Sequence, residues 1–371
     1  MQIKKHSLVS PAIGTAREIL SFHYGEASTD KKIYIQAALH ADEAPGLLVA
    51  HYLRKQLAAL EDAQKLKCEV VIVPVANPIG LAQWLDHTHI GRFELATAEN
   101  FNRHYPDIAE AVAALIADKL NDDAAHNQRL IREAMLVVLS QLTPKTELAS
   151  LRHTLFSLAA DANIMLDLHC DAEAKLHLYT GSPLWPQVEP LARYMGAVAT
   201  LLETTSGDNP FDEACSRTWW LMQARFADKP IPLGCVSVTV ELRGNVDVSH
   251  GIAELDAAAI VNYLVHQGYI SGVVEPLPAL IAEATPLAGS EAIESPVSGV
   301  VSFLRELGET IKVGDAVVDV TNPITGETTV LTATTEGILY ARENRRFAHA
   351  GMRLCKIAGK VPFRTGKLLS A

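Results

Sequence analysis

Residues Lys32–Leu39 read KIYIQAAL, and the chain runs straight on as His40-Ala-Asp-Glu43-Ala-Pro45-Gly46. The first eight residues are a short β-branched and aromatic run, the composition of a strand. From Ala44 to Leu60 apolar residues recur at helical spacing, and Pro45 stands near the start, where proline fits a first helical turn. Strand, polar loop and helix in immediate succession are the opening of an α/β unit. Open α/β sheets place ligand sites in loops at the carboxyl ends of strands, so this stretch predicts both the fold and the place of the chemistry.

Working outward, three further runs read as buried strands: EVVIVPV from Glu69, closed by Asn77-Pro78; NIMLDLH from Asn163; and CVSVTVEL from Cys235. Separated by helical segments, they predict an α/β fold with a mostly parallel or mixed sheet flanked by helices. An alanine- and leucine-rich region at 107–160 reads as two or three helices inserted in that fold and packed on its core. The pattern changes near Gly272, where proline and alanine dominate, and from Glu294 onward short β runs alternate with turns such as Val313-Gly314-Asp315 and Asn322-Pro323. The expected organisation is therefore a larger α/β domain over residues 1–275 and a smaller all-β domain over 276–371.

Composition narrows the function. The chain has 371 residues and a formal charge of −11, a sign that disfavours nucleic acid as a partner. No run of about 18 apolar residues reads as a transmembrane helix, so no membrane partner is expected. Five cysteines without a CxxC pair argue against a cysteine zinc knuckle and fit reduced thiols, hence a cytoplasmic protein. The N-terminus, MQIKKHSLVSPAIG, lacks the apolar run of a signal peptide.

His40 and Glu43, three residues apart in a tight loop, can offer one nitrogen and one carboxylate oxygen to a zinc ion. The pattern alone is weak, because His23 and Glu26 repeat it without such a context. A third candidate is His169, which closes a buried strand with Asp167 on its own face. A charged pair at the end of an apolar strand needs a reason; metal ligation by His169, with Asp167 orienting it, is one, and a plain hydrogen-bonded Asp–His pair is the other. A His, Glu, His set leaves a fourth zinc position for water, and hydrolysis then needs a carboxylate to carry the proton. Glu241, at the end of SVTVEL, is the candidate; its bland alternative is a strand-end ion pair with Arg243. His87 and His89 read as loop histidines, and Trp219-Trp220 as packing.

HADEAPG resembles the H-x-x-E-x-x-G ligand segment of the succinylglutamate desuccinylase/aspartoacylase family, relatives of the zinc carboxypeptidases. Asn77-Pro-Ile-Gly80, Asn100-Phe-Asn-Arg103-His-Tyr-Pro106, Asp167-Leu-His169 and VTVELRG resemble further segments of that family, in its order, over roughly residues 30–270. The resemblance implies a zinc-carboxypeptidase-like α/β fold and one Zn²⁺ per chain held by His40, Glu43 and His169, with Glu241 as general base. It also implies a substrate carboxylate bound by Asn102 and Arg103, and Arg92 polarising the scissile carbonyl; for Arg92 a plain surface arginine is nearly as good a reading. The C-terminal segments SPVSGVVSFL and TEGILYAR resemble the barrel-sandwich fold of lipoyl and biotinyl domains, but no lysine lies between Val313 and Cys355, so a carrier role is rejected.

The function expected from sequence is zinc-dependent hydrolysis of an amide or ester bond in a small anionic N-acylated amino acid or similar compound. A metallocarboxypeptidase acting on a peptide C-terminus and a non-catalytic zinc-binding relative remain as alternatives, and a homo-oligomer is compatible with the sequence.

Overall fold

A computed structural model describes residues 1–27 and 30–369. Nine strands form the main sheet: β1 (Gln2–Ser7), β2 (Glu18–Tyr24), β3 (Lys32–Ala37), β4 (Glu69–Val73), β5 (Ile164–Asp171), β6 (His177–Thr180), β7 (Ala199–Leu202), β8 (Val236–Gly244) and β9 (Thr285–Pro286). Their spatial order is β1-β2-β4-β3-β5-β8-β6-β7-β9. The central four, β4-β3-β5-β8, run parallel, while β1, β2 and the β8–β6 contact are antiparallel. The sheet is thus mixed, with the parallel runs legible in the sequence at its centre.

Period-two alternation distributes the strand residues between two apolar layers. Ile33, Ile35, Leu166, Leu168, Val238 and Val240 pack beneath helices α1 (Pro45–Asp62), α5 (Trp185–Met195) and α7 (His250–His266). Tyr34 and Met165 face the opposite layer, built from α2 (Ala109–Ile116), α3 (Ala124–Gln141), α4 (Glu147–Ala159) and α6 (Phe211–Arg225). The alanine- and leucine-rich insertion is therefore three helices, α2 to α4, and with α6 it packs on one face of the sheet over β2, β4, β3 and β5. Asp167 and His169 share the Met165 side of β5, so the insertion lies on the face that carries the candidate site.

From Ser290 onward two antiparallel sheets pack around Val301, Ile311, Val318, Leu339 and Ile357. This β part is stitched to the rest. β9, which follows residue 275, pairs with β7 of the main sheet. In return Glu173–Ala174, just past β5, pairs with the strand Gly337–Arg342. Arg342 and Arg346 both reach Glu173, at 2.7 and 2.6 Å, so the β part is anchored within a few residues of His169.

No helix among the described residues is long and apolar enough to cross a membrane. All five cysteines are free and buried.

Candidate metal centre and active site

His40 stands just past β3, at the end of a turn in which Ala38 takes φ 59°, a left-handed conformation uncommon for alanine. Three backbone ties hold that turn. Asn77 donates through Nδ2 to the Leu39 carbonyl at 2.9 Å, Ala41 N–H donates to Gly91 O at 3.0 Å, and Glu43 N–H donates to His40 O at 3.2 Å. Gly91 lies so close to the Asp42 backbone that no side chain fits there. At Gly46 an added Cβ would meet Leu168 O at 2.9 Å, so glycine lets α1 approach β5 and brings Glu43 beside His169.

The result is a convergence of three buried side chains. His40, Glu43 and His169 each present one ligand atom, and these atoms all lie within 4.8 Å of one another. Glu43 bridges the pair, with Oε1 2.9 Å from His40 Nδ1 and Oε2 2.8 Å from His169 Nδ1.

The outer nitrogens show what the inner ones offer. Asn100 Oδ1 accepts from Asn102 N–H at 2.8 Å, which fixes it as an oxygen, and it lies 2.9 Å from His40 Nε2. His40 Nε2 must then carry the hydrogen, and Nδ1 is a bare lone pair aimed at a carboxylate. His169 repeats the arrangement: its Nε2 lies 2.9 Å from Asp167 Oδ2, in ion-pair contact although not aligned as a hydrogen bond. Lone pairs of two imidazoles facing one buried carboxylate repel unless a cation lies among them, and outer acceptors of this kind are the usual support of metal-ligating histidines. The three residues could hold a metal ion, and the donor set fits one.

The electrostatics agree. Burial alone would lower the His169 pKa, but Asp167 and Glu43 outweigh it and hold it well above the ordinary value. Burial raises that of Glu43, yet the two histidines bring it well below the usual carboxylate range. Burial, with Arg92 beside it, pushes His40 down to about 4.

Asp167 is itself fully buried and accepts from Gln36 Nε2 at 2.9 Å, and Gln36 in turn accepts from Tyr34 OH at 2.8 Å. Leaving such a buried acceptor unpaired costs about 1–3 kcal/mol, so this chain of polar groups fixes the support of His169.

Glu241 is in register with His169 on the adjacent strand, and both side chains project from one face. It lines the cavity, while its Oε2 is buried without a hydrogen-bond partner. Burial and the neighbouring Glu43 charge push it up to about 8. The alternative partner, Arg243, is engaged elsewhere: both its terminal nitrogens bind Asp256 at 2.8 Å. On the other side of Glu241 stands His177, fully buried, with Nδ1 donating to Lys175 O at 2.8 Å. Burial pushes His177 down to about 4.

Arg92 Nη1 lies 3.2 Å from His40 Nδ1 and 3.3 Å from Glu43 Oε1, at the edge of the centre. Asn102 and Arg103 are both buried and line the same cavity. Asn102 Oδ1 accepts from Phe211 N–H at 2.8 Å, which leaves its Nδ2 to face a ligand. Burial, then Arg92, lowers the Arg103 pKa, against the pull of Asp212, Asp208 and Glu213, which raise it.

The cavity, of about 690 Å³, draws together every site residue expected from the sequence. It also includes residues that the sequence did not single out. Arg342, Arg345, Arg353 and Lys356 come from the C-terminal sheets, and Lys356 pairs with Asp171 at 2.5 Å. Asn100 sits inside a quoted motif, but its grip on His40 shows only in three dimensions. Arg152, from the helical insertion, donates to Asn100 O at 2.8 Å, so the insertion buttresses the metal loop. Of the bland readings, His89 binds Gly80 O and stacks on Trp84, and Trp219 is fully buried packing.

Residues 29–267 match the model of the succinylglutamate desuccinylase/aspartoacylase catalytic domain. The chain belongs to that family. No curated protein matches it by sequence. Among solved structures it is similar to a family protein from Shewanella amazonensis SB2B, at 26% identity over 97% of this chain and 99% of that one, with a TM-score of 0.86. A second, from Shewanella frigidimarina NCIMB 400, is 22% identical over 96% and 97%, with a TM-score of 0.84. The ectoine utilization protein EutE (DoeB) of Ruegeria pomeroyi shares the fold at 15% identity over 96% and 95%, with a TM-score of 0.68. The family is one of deacylases, so this chain is a hydrolase-family member with a metal-competent His-Glu-His centre.

Proposed function

We propose that this chain is a zinc-dependent hydrolase that cleaves the amide, or ester, bond of a small anionic N-acylated amino acid or related compound. One observation carries the reading: His40, Glu43 and His169 converge within 4.8 Å of one another beside Glu241, inside a single cavity. Three protein ligands leave a tetrahedral ion one open position, the pattern of catalytic sites. Zinc held by these three residues would supply Lewis acidity, to activate a water and polarise a carbonyl oxygen.

The chain's own groups do the rest. Glu241 accepts the proton of the attacking water and passes it to the leaving nitrogen, so that the C–N bond breaks to a carboxylate and an amine. Burial, then the Glu43 charge, raises its pKa; a cation held beside it would favour the ionised carboxylate that acts as base. Arg92 steadies the carbonyl oxygen. Arg103 binds the substrate carboxylate as a fork, with Asn102 donating from Nδ2. We assign this chemistry to residues 1–275, with 276–371 forming a wall. That wall makes a cavity suited to a compact molecule and disfavours an extended peptide.

The test is metal analysis followed by a screen of N-acetyl, N-succinyl and N-formyl amino acids, read as free amine. Hydrolysis that needs zinc supports the reading; a zinc-loaded protein inert toward the whole panel contradicts it.

A further inference from the structure

The C-terminal segment Arg364–Leu369 is neither part of a sheet nor claimed by the chemistry above, yet it ends against the cavity. Leu368 is buried among Ala174, Leu201, Leu287 and Tyr340, a cluster shared by both parts of the molecule. Its N–H donates to Ser206 O at 2.8 Å, and Lys367 Nζ lies 2.7 Å from Asp208 Oδ1. An added Cβ on Gly207 would meet Lys367 Cγ at 3.0 Å, so the segment lies flat on that loop. Leu369 then lines the catalytic cavity and also a smaller cavity beside it.

The loop beneath is unusual. Gly207, Asp208 and Asn209 have φ of 111°, 58° and 46°, three successive residues at positive φ, a run that even Asp and Asn, which tolerate such values singly, rarely extend. Something must hold such a run in place. The segment grips it from one side, and on the other the loop grips the substrate-binding stretch. His104 N–H donates to Asp208 O at 2.7 Å, Tyr105 N–H to Asn209 O at 3.2 Å, and Asn209 Nδ2 to Tyr105 O at 2.8 Å. Phe211 N–H completes the line on Asn102 Oδ1 at 2.8 Å. Contacts therefore run without a gap from Leu368 and Lys367 through residues 206–209 to Asn102–Tyr105.

We propose that Arg364–Leu369 is a strap that shapes the Arg103 end of the cavity, with Leu369 as a specificity-determining residue that limits the size of the substrate's carboxylate-bearing portion. The proposal rests on the function assigned above. A branched side chain at the cavity wall excludes volume, and its truncation admits more. Lys367 and Leu368 act through the loop, and so on the position of Arg103 and Asn102.

Two measurements test it. In the first, the ratio of kcat/KM for bulky over small N-acyl amino acids is compared across variants. Leu369→Ala should raise that ratio by about tenfold and Leu369→Phe should lower it, within the range one or two methylenes contribute to discrimination. An unchanged ratio in both variants overturns the specificity role. In the second, which needs no turnover, amide hydrogen exchange is followed in Leu368→Ser. His104 and Tyr105 should exchange several-fold faster while the β4 amides keep their protection. Unaltered exchange at His104 and Tyr105 overturns the strap, whether or not any substrate is found. A wild type inert to the panel but with the expected exchange counts against the assigned function and leaves the strap standing.

Discussion

His23-x-x-Glu26 and His40-x-x-Glu43 are one four-residue pattern written twice, and only the second joins a cluster that could hold a metal ion. His23 lies within β2, buried, with Nδ1 2.7 Å from Glu69 Oε1 and Nε2 2.9 Å from Ser21 Oγ, which continues to His6 Nε2 at 2.8 Å. Glu26 is exposed and takes no part. Both nitrogens of His23 have hydrogen-bonding partners, and no second imidazole arrives. His40 also touches a carboxylate, at 2.9 Å, but its outer nitrogen is bound by Asn100 and its inner one faces the same carboxylate as His169. A buried His–Glu contact is thus ordinary. The second differs in that two imidazoles converge on one buried carboxylate at a cavity wall, with Arg92 at its edge.

The comparison can be broken or sharpened by substitution, first where the effect is largest. Glu241→Gln keeps the volume and removes the base; zinc should stay bound and kcat should fall by about 10²–10⁴. Glu69→Gln, at the closed His–Glu pair, should leave kcat unchanged in the same steady-state assay. Zinc loss in Glu241→Gln would make that residue a ligand.

Arg103→Lys comes next. Lysine keeps the charge and loses the bidentate fork, so KM for anionic substrates should rise by about tenfold with little change in melting temperature. An unaltered KM across all anionic substrates would remove Arg103 from the carboxylate site.

His23→Ala should be silent in catalysis. It strips a partner from the buried Glu69, so its effect belongs to stability, about 1–3 kcal/mol in a denaturant titration. A pH effect belongs to His177. Its folded pKa of about 4 lies below the ordinary 6.5, so the unfolded chain binds more protons between those values. Its contribution to stability is complete above pH 6.5 and is lost as pH falls toward 4. The drop in melting temperature between about pH 7 and about pH 4.5 should therefore be smaller in His177→Gln than in the wild type.

Much of this was legible in the sequence, and the reasons are local. Lys32–Ala37, Glu69–Val73 and β5 are buried on both faces, so they read as continuous apolar runs. The edge strand β1 did not read as a strand: Gln2–Ser7 is almost wholly exposed and carries no apolar alternation. His40, Glu43, His169 and Glu241 were legible because each closes or follows one of those buried runs. Lys356 and the arginines of the C-terminal wall were not, because nothing at residues 342–356 marks that their strands fold back onto the end of β5. Asn100 and Arg152 were invisible as supports for the same reason: their partners are remote in sequence, at His40 and Glu99–Asn100.

The central claim, that three converging side chains make a metal centre where a similar His–Glu contact does not, is tested most directly by metal content. Wild type, His169→Ala and His23→Ala would be loaded with zinc, freed of excess by gel filtration and assayed for metal per chain. The account predicts one zinc per chain in the wild type and in His23→Ala, and little in a folded His169→Ala. Stoichiometric zinc in His169→Ala, or its loss in His23→Ala, would contradict it.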